Sequence, residues 1–370
     1  ATNFTFVGKP NNGTINTNTV AADNLLLVGN PYPSALDAYQ FITDNINSVD
    51  RGIDGTLYFW EHASDNNTHV LVDYLGGYAV LNLSGGVAPV VPSYIAGVGS
   101  SSKIPKQYIP VGQGFFVYGK PSGSGPVLFN NGQRAFVKET EATSNSLFKT
   151  KANAKVPEEQ NGNNSVPKKY KKIRLGFNTI NGYHRQVLLA FMEEKATSKI
   201  DYGYDAEIMD DFPNDMFLMN GKKQLVIEGE GFFDENASYP IGIKADKEGK
   251  VSFTIDDLEN FAKDQPIYIH DNTTNIYHNI RNNKFEVDLK IETATPVNTR
   301  FSLHFRDKTN DADKTLGINE NTGNKNSILI SHNKERNILE IMNSQADVTI
   351  EKVSLFNLLG QSIATWEIEN

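Results

Sequence analysis

Along most of this chain apolar residues recur at every second position, in short runs closed by Gly, Pro, Asn or Asp. Side chains on a strand alternate between two faces, so this pattern predicts half-buried strands rather than amphipathic helices. In the first part, Phe4-Thr5-Phe6-Val7 already alternates, and Asn24-Leu25-Leu26-Leu27-Val28 gives a buried strand ending in the Gly29-Asn30-Pro31 turn. Ser34 is positioned to cap a short helix through Ala35 to Ile42, where apolar residues fall at three and four spacing. Further strands are predicted at Gly55–His62, Gly77–Asn82, Tyr108–Tyr118 and Val127–Asn130. In the first of these, Tyr58 and Trp60 share one face and Phe59 takes the other. A strand apolar on both faces predicts burial between layers. Residues 1–140 therefore read as a β-rich module with one short helix.

Periodicity lapses over 141–170, a predicted linker or surface excursion rich in Asn, Lys, Glu and Ser. It resumes at Lys172–Asn178, whose hairpin partner is Gln186–Phe191 across the Asn181-Gly182 turn. Strands then follow at 224–228, 238–243, 249–255, 266–271, 276–280, 285–289 and 300–305, with a brief helical turn or a plain turn at Asp256–Glu259. This spacing predicts a second, jelly-roll-like or Greek-key sandwich over 171–306. Residues 307–325 read as a flexible tether. From 326 to 370 alternation returns at Ile338-Leu339-Ile341, Val348-Thr349-Ile350, Val353–Phe356 and Ser362–Trp366. The fold class is all-β: tandem sandwich or jelly-roll-like domains, then a small, incomplete Ig-like sandwich.

At 370 residues the chain is too long for one sandwich, and its 29 glycines, 21 phenylalanines and 15 tyrosines suit strands and turns. A net charge of -9 gives no bulk attraction for nucleic acid or anionic lipid, and the basic run Lys168-Lys169-Tyr170-Lys171-Lys172 is balanced elsewhere. Without cysteine there are neither disulfides nor thiolate metal sites. No segment approaches the ~18 apolar residues of a membrane-spanning helix, and no signal peptide is visible. Since the first residues already alternate, the chain is expected to continue a longer protein.

Compact chemical motifs are few. Trp60-Glu61-His62 reads as a sugar platform beside an acid, or as a core tryptophan with solvated neighbours. Tyr58, Trp60 and Tyr78 are accordingly the candidate ligand contacts, and sugar binding would require two or three of Trp60, Tyr58, Tyr74, Tyr78, Tyr118, Tyr204 and Tyr277 to be coplanar and exposed. Carboxylates crowd Asp201–Asp211, and Asp201, Asp205 and Glu207 are the candidate ligands for Ca2+, although the spacing is not that of an EF-hand. No other cofactor is expected. His270-Asp271 with His278 nearby resembles half of a catalytic pair, but no Gly-X-Ser-X-Gly accompanies it. Paired carboxylates of a glycosidase can sit on distant strands, invisible to spacing.

Two family resemblances add to this reading. Val353-Ser354-Leu355-Phe356-Asn357-Leu358-Leu359-Gly360-Gln361 is similar to the hairpin of the C-terminal sorting domain of cargo exported by the type IX secretion system. That family continues into a further strand and a basic terminal strand, whereas this sequence stops at Asn370, so the resemblance implies a partial sorting domain over 326–370. It also implies recognition of Leu355, Asn357, Gly360 and Gln361 by outer-membrane translocon components, and a secreted or cell-surface location. Leu27–Ser34, Gly55–Trp60, Gly77–Ala79, Ile109–Val117 and Phe129–Arg134 together resemble a recurrent module of secreted Flavobacterium-type proteins bearing the same tail. The resemblance runs from Asn24 to Arg306 and carries no catalytic activity with it. It carries Asp201, Gly203 and Asp205 as a "D.GYD" word.

The expectation is thus a non-catalytic surface or adhesion segment that engages the export translocon. The alternatives are a carbohydrate-binding module for surface glycans and, less favoured, a glycoside hydrolase.

Overall fold

Strand Ile53–His62 is apolar on both faces because it lies between two cores. The computed structural model describes residues 7–46, 52–62, 76–92, 104–121, 125–137, 169–210, 212–290, 297–309, 328–333, 338–343, 350, 352–357 and 361–367. They are all-β apart from helix Ala38–Ile46 and two 3-10 turns. Strand Ile53–His62 is central in a five-stranded antiparallel sheet ordered Leu25–Gly29, Gly114–Gly119, Ile53–His62, Gly76–Asn82, Gly85–Val87. Its Leu57 and Phe59 face the smaller core, where Phe41 of the helix meets Phe115 and Phe129 at ring distances of 5.5 and 5.0 Å. Tyr58, with Val80 and Val87 from neighbouring strands, faces the larger core instead.

That larger core is enclosed by a twelve-stranded sheet, eleven of whose strands lie within residues 171–304. It is antiparallel except where Tyr183–Phe191 runs parallel to Lys223–Glu230. The sheet curls over itself, so that Phe253 of strand Gly249–Glu259 meets Phe301 of strand Val297–His304 at 5.2 Å although the two strands lie near opposite ends of the strand order. The Asn181-Gly182 hairpin forms as expected, with Asn178 opposite His184 and Gly182 at φ +79°.

The two β-rich modules belong to one compact unit, Ala1–Ala312, with Asp313–Asn370 as the other. Strand Val91–Pro92 joins the large sheet beside Tyr183 and His184. Side chains and backbone tie the same seam: Arg174 Nε donates to Gly86 O (3.1 Å) and Ser84 Oγ to Tyr204 O (2.8 Å). The residues assigned to the linker 141–170 lie almost wholly outside the described set, as does most of the tether 307–325.

Three local expectations are corrected. The helix begins at Ala38, not Ala35, because Ala35–Asp37 pairs as a strand with Tyr108–Ile109 and Arg134–Ala135. Its cap is Asp37, whose Oδ1 accepts from the amides of Tyr39 and Gln40, while Ser34 Oγ accepts from Arg134 Nε. Asp256–Glu259 makes no helical turn: the strand runs on to Glu259, and the buried Arg174 holds Asp257 and Glu259 at 2.7 and 2.6 Å. Strand Asp215–Asn220, which the alternation did not predict, pairs between Lys223–Glu230 and Ser238–Lys244.

In the second unit the described residues form two hairpins, Ile328–Asn333 with Ile338–Asn343 and Lys352–Phe356 with Ser362–Glu367. The Val348-Thr349-Ile350 run lies mostly outside the described residues.

Candidate functional site

Gly55 and Gly203 shape the site. Both have positive φ, +93° and +84°, which L side chains rarely adopt. Gly55 lies where the pairing of Ile53–His62 with Gly114–Gly119 shifts register, and this kink brings the Asp54 carbonyl to the Gly203 amide at 2.7 Å. Leu83 N completes the clasp by donating to Gly203 O at 2.8 Å. Between this strand and the segment that follows Ile200 lies a cavity of ≈ 510 Å³.

The cavity gathers residues from far apart in the chain. Tyr58 and Tyr118 come from the five-stranded sheet, Asp54 from its kink, and Asp201, Asp205 and Glu207 from the loop and short strand of the second module. Thus one sequence-predicted ligand contact and all three predicted calcium ligands meet in one place. Tyr118, one of the tyrosines of the candidate stacking set, lies in the same wall with Asp54, Tyr202 and Lys223, which the sequence pattern did not single out.

Each carboxylate has a structural task as well. Asp201 Oδ2 accepts from the Thr197 amide and hydroxyl (2.6 and 2.8 Å). Asp205 accepts from the amides of Asp201 (2.6 Å) and Gly229 (2.8 Å), and Glu207 binds Lys223 Nζ at 2.6 Å. Among the described residues no three carboxylate or imidazole groups are arranged to hold a metal ion. Burial pushes the Asp54 carboxyl up to about 7 despite the hydrogen bonds of Thr56, and does the same for Asp205 despite its two amide donors. Tyr58 is driven well above the usual phenol range by burial first and by Asp54 second. Asp54 is therefore partly protonated at neutral pH and can donate as well as accept.

The aromatic candidates separate. Tyr58 is 3% exposed, whereas Trp60 is 43% exposed, against the reading of a core tryptophan, and it is Glu61 that is buried. Trp60 and Tyr78 lie 5.1 Å apart with planes at 67°, and Tyr78 and Phe116 6.0 Å apart at 79°. These edge-to-face rings do not make a flat platform. Tyr74 lies outside the described residues.

Asp271 does not orient a histidine. Arg300 takes it in a bidentate pair at 3.0 and 2.8 Å, and although burial opposes ionisation, Arg300 and Thr273 hold its carboxyl below the ordinary range. His270 Nε2 bonds Asn275 Oδ1 and its ring stacks on Tyr277 at 4.1 Å, while His278 stacks on Phe285. Ser302 Oγ and His304 Nε2 are 2.9 Å apart but both buried, and burial takes His304 down to about 4.

In the tail, Asn357 and Gln361 close the loop by three bonds of 2.9 Å: backbone N–H to O, Gln361 N–H to Asn357 Oδ1, and side-chain amide to amide. Leu355 is 39% exposed; Gly360 lies outside the described residues.

A family model described as a domain of unknown function, DUF8693, matches residues 1–305. The chain belongs to this family. The DUF8693 match spans both modules, the clasp and every wall of the cavity, and ends before the second compact unit begins. No curated protein and no solved structure matches the chain.

Proposed function

We propose that the chain is a non-catalytic extracellular segment in which a DUF8693 body is carried by a type IX sorting tail. The observation that carries this reading is the division of the chain: Asp313–Asn370 forms its own compact unit, beyond the span of the family match. A tail that acts as an address needs to be recognised without unfolding its cargo, and separate compact units permit that. The hairpin Lys352–Phe356 with Ser362–Glu367 offers a surface for recognition. Leu355 stands opposite Ala364 and Val353 opposite Trp366, so these four side chains share one face, with Leu355 and Trp366 exposed. Next to this face Asn357 and Gln361 are tied to each other by side-chain hydrogen bonds of 2.9 Å.

The test is deletion of Asn326–Asn370 from the natural gene in a bacterium with a working type IX translocon. Under this reading the deleted protein stays in the periplasm and the body melts at an unchanged temperature. Its appearance on the cell surface would reject the proposal.

A further inference from the structure

We propose that the cavity between strand Ile53–His62 and the segment Asp201–Met209 binds an alkylammonium group, a protonated or methylated amine on a slender apolar stem. This goes beyond the export reading and does not depend on it.

Two kinds of wall define the ligand. Tyr58, Tyr118 and Tyr202 supply aromatic surface and Ile200 and Met209 aliphatic surface, which suits a hydrocarbon stem. Five acidic side chains, Asp23, Asp54, Asp201, Asp205 and Glu207, line the same space; burial raises Asp54 and Asp205 to about 7, Lys223 is tied to Glu207 at 2.6 Å, and Lys120 stands beside Asp54, which leaves a smaller net negative charge at pH 7.5. An anion is repelled by this surplus, and a neutral molecule leaves it uncompensated. A cation answers it and also gains from the ring quadrupoles.

The chain itself shows an ammonium held in this manner. Lys120 Nζ stands 4.9 Å from the centroid of Tyr202, in the field of Asp54, and donates to Ile46 O at 2.9 Å. Lys120 thus serves one aromatic wall. Tyr58, 3% exposed, belongs to the cavity wall, and Tyr118 stands on the neighbouring strand. A hard dication fits less well. Calcium takes about 6–8 oxygens, whereas Asp201 and Asp205 are engaged by hydroxyl and backbone donors and the tyrosine faces offer it nothing.

Isothermal titration of the full chain at pH 7.5 with n-butylammonium chloride, tetramethylammonium chloride, n-butanol and calcium chloride tests this. Either ammonium ion is expected to bind saturably and at least about tenfold tighter than n-butanol. Asp54→Asn is the direct variant; because Asp54 also lies at the clasp, Tyr118→Leu is the second, expected to weaken ammonium binding about fivefold with the melting temperature unchanged. Equal affinity for n-butanol, no saturable ammonium binding, calcium binding tighter than either ammonium ion, or a Tyr118→Leu variant that melts normally and binds as well as the parent each overturns the proposal.

Discussion

The amide of Gly203 donates to the carbonyl of Asp54 at 2.7 Å, and a Cβ on the adjoining Gly55 would come within 2.6 Å of Gly203 Cα. Two left-handed glycines from the two modules thus press together where only hydrogen fits. Gly203→Ala and Gly55→Ala each meet the ~1–2 kcal/mol cost of the left-handed region and a steric clash as well, so a loss above about 2 kcal/mol is expected. Gly221→Ala, at φ +59° with open space around it, is the control and should lose only the backbone cost. Urea unfolding of the three variants separates the two contributions.

Arg185 holds Asp215 in a bidentate pair at 2.6 and 2.7 Å, with both side chains 2% exposed. Asp215→Asn leaves a buried guanidinium without its counter-charge, and a loss of about 3–5 kcal/mol is expected. Replacing both, as Arg185→Met with Asp215→Leu, should cost less than either single change. A double-mutant cycle in denaturant measures the difference.

Glu228 is 4% exposed, its Oε1 accepts from Asn220, and its Oε2 has no hydrogen-bond partner among the described residues. Burial first, then Glu230 and Asp205, push its carboxyl up to about 8. The folded state therefore keeps a proton that the unfolded chain releases near its ordinary value of 4.5. The resulting stability is complete below that value and is lost as pH rises towards 8, with a slope of about 1.4 kcal/mol per pH unit. Glu228→Gln imitates the neutral acid, so it should flatten this slope and gain stability at pH 8–9 relative to the parent. Melting temperatures across pH 5–9 check the sign.

Much of the fold was legible in local pattern. The Asn181-Gly182 turn between two apolar runs gave a hairpin whose register follows from the turn, and the doubly apolar Tyr58-Phe59-Trp60 stretch signalled a strand between layers. Asp215–Asn220 escaped because its continuous run Met216-Phe217-Leu218-Met219 has no alternation; a strand covered on both faces does not need it. The length of that run, bounded by Asn and Gly, was the available signal. The cavity was illegible for a different reason. Thr56 Oγ1 reaches the Asp205 carbonyl across 149 positions of sequence, and no spacing rule spans such a distance. What the sequence did offer was the pair of glycine words around Gly55 and Gly203, without any sign that they touch.

The hydrogen bonds between Asn357 and Gln361 are exposed, and bonds of this kind contribute about 0.5–1.5 kcal/mol each. Asn357→Ala removes two of them, the bond from its Nδ2 to Gln361 Oε1 and the bond its Oδ1 accepts from the Gln361 amide. Faster amide exchange is expected across Lys352–Phe356 and Ser362–Glu367, with protection in the body's strands unchanged. Loss of protection in the body would contradict the separation into two compact units.

A strand shared by two cores also makes the body hard to divide. Severed between residues 137 and 169, the chain would give one piece whose Tyr58, Val80 and Val87 lie bare and another whose large sheet lacks Val91–Pro92 and its apolar cover. Such halves are expected to be poorly soluble apart and to regain structure when mixed, which a circular-dichroism titration of one against the other would reveal. The body is a joint product of both modules, and either one alone is half of a handshake.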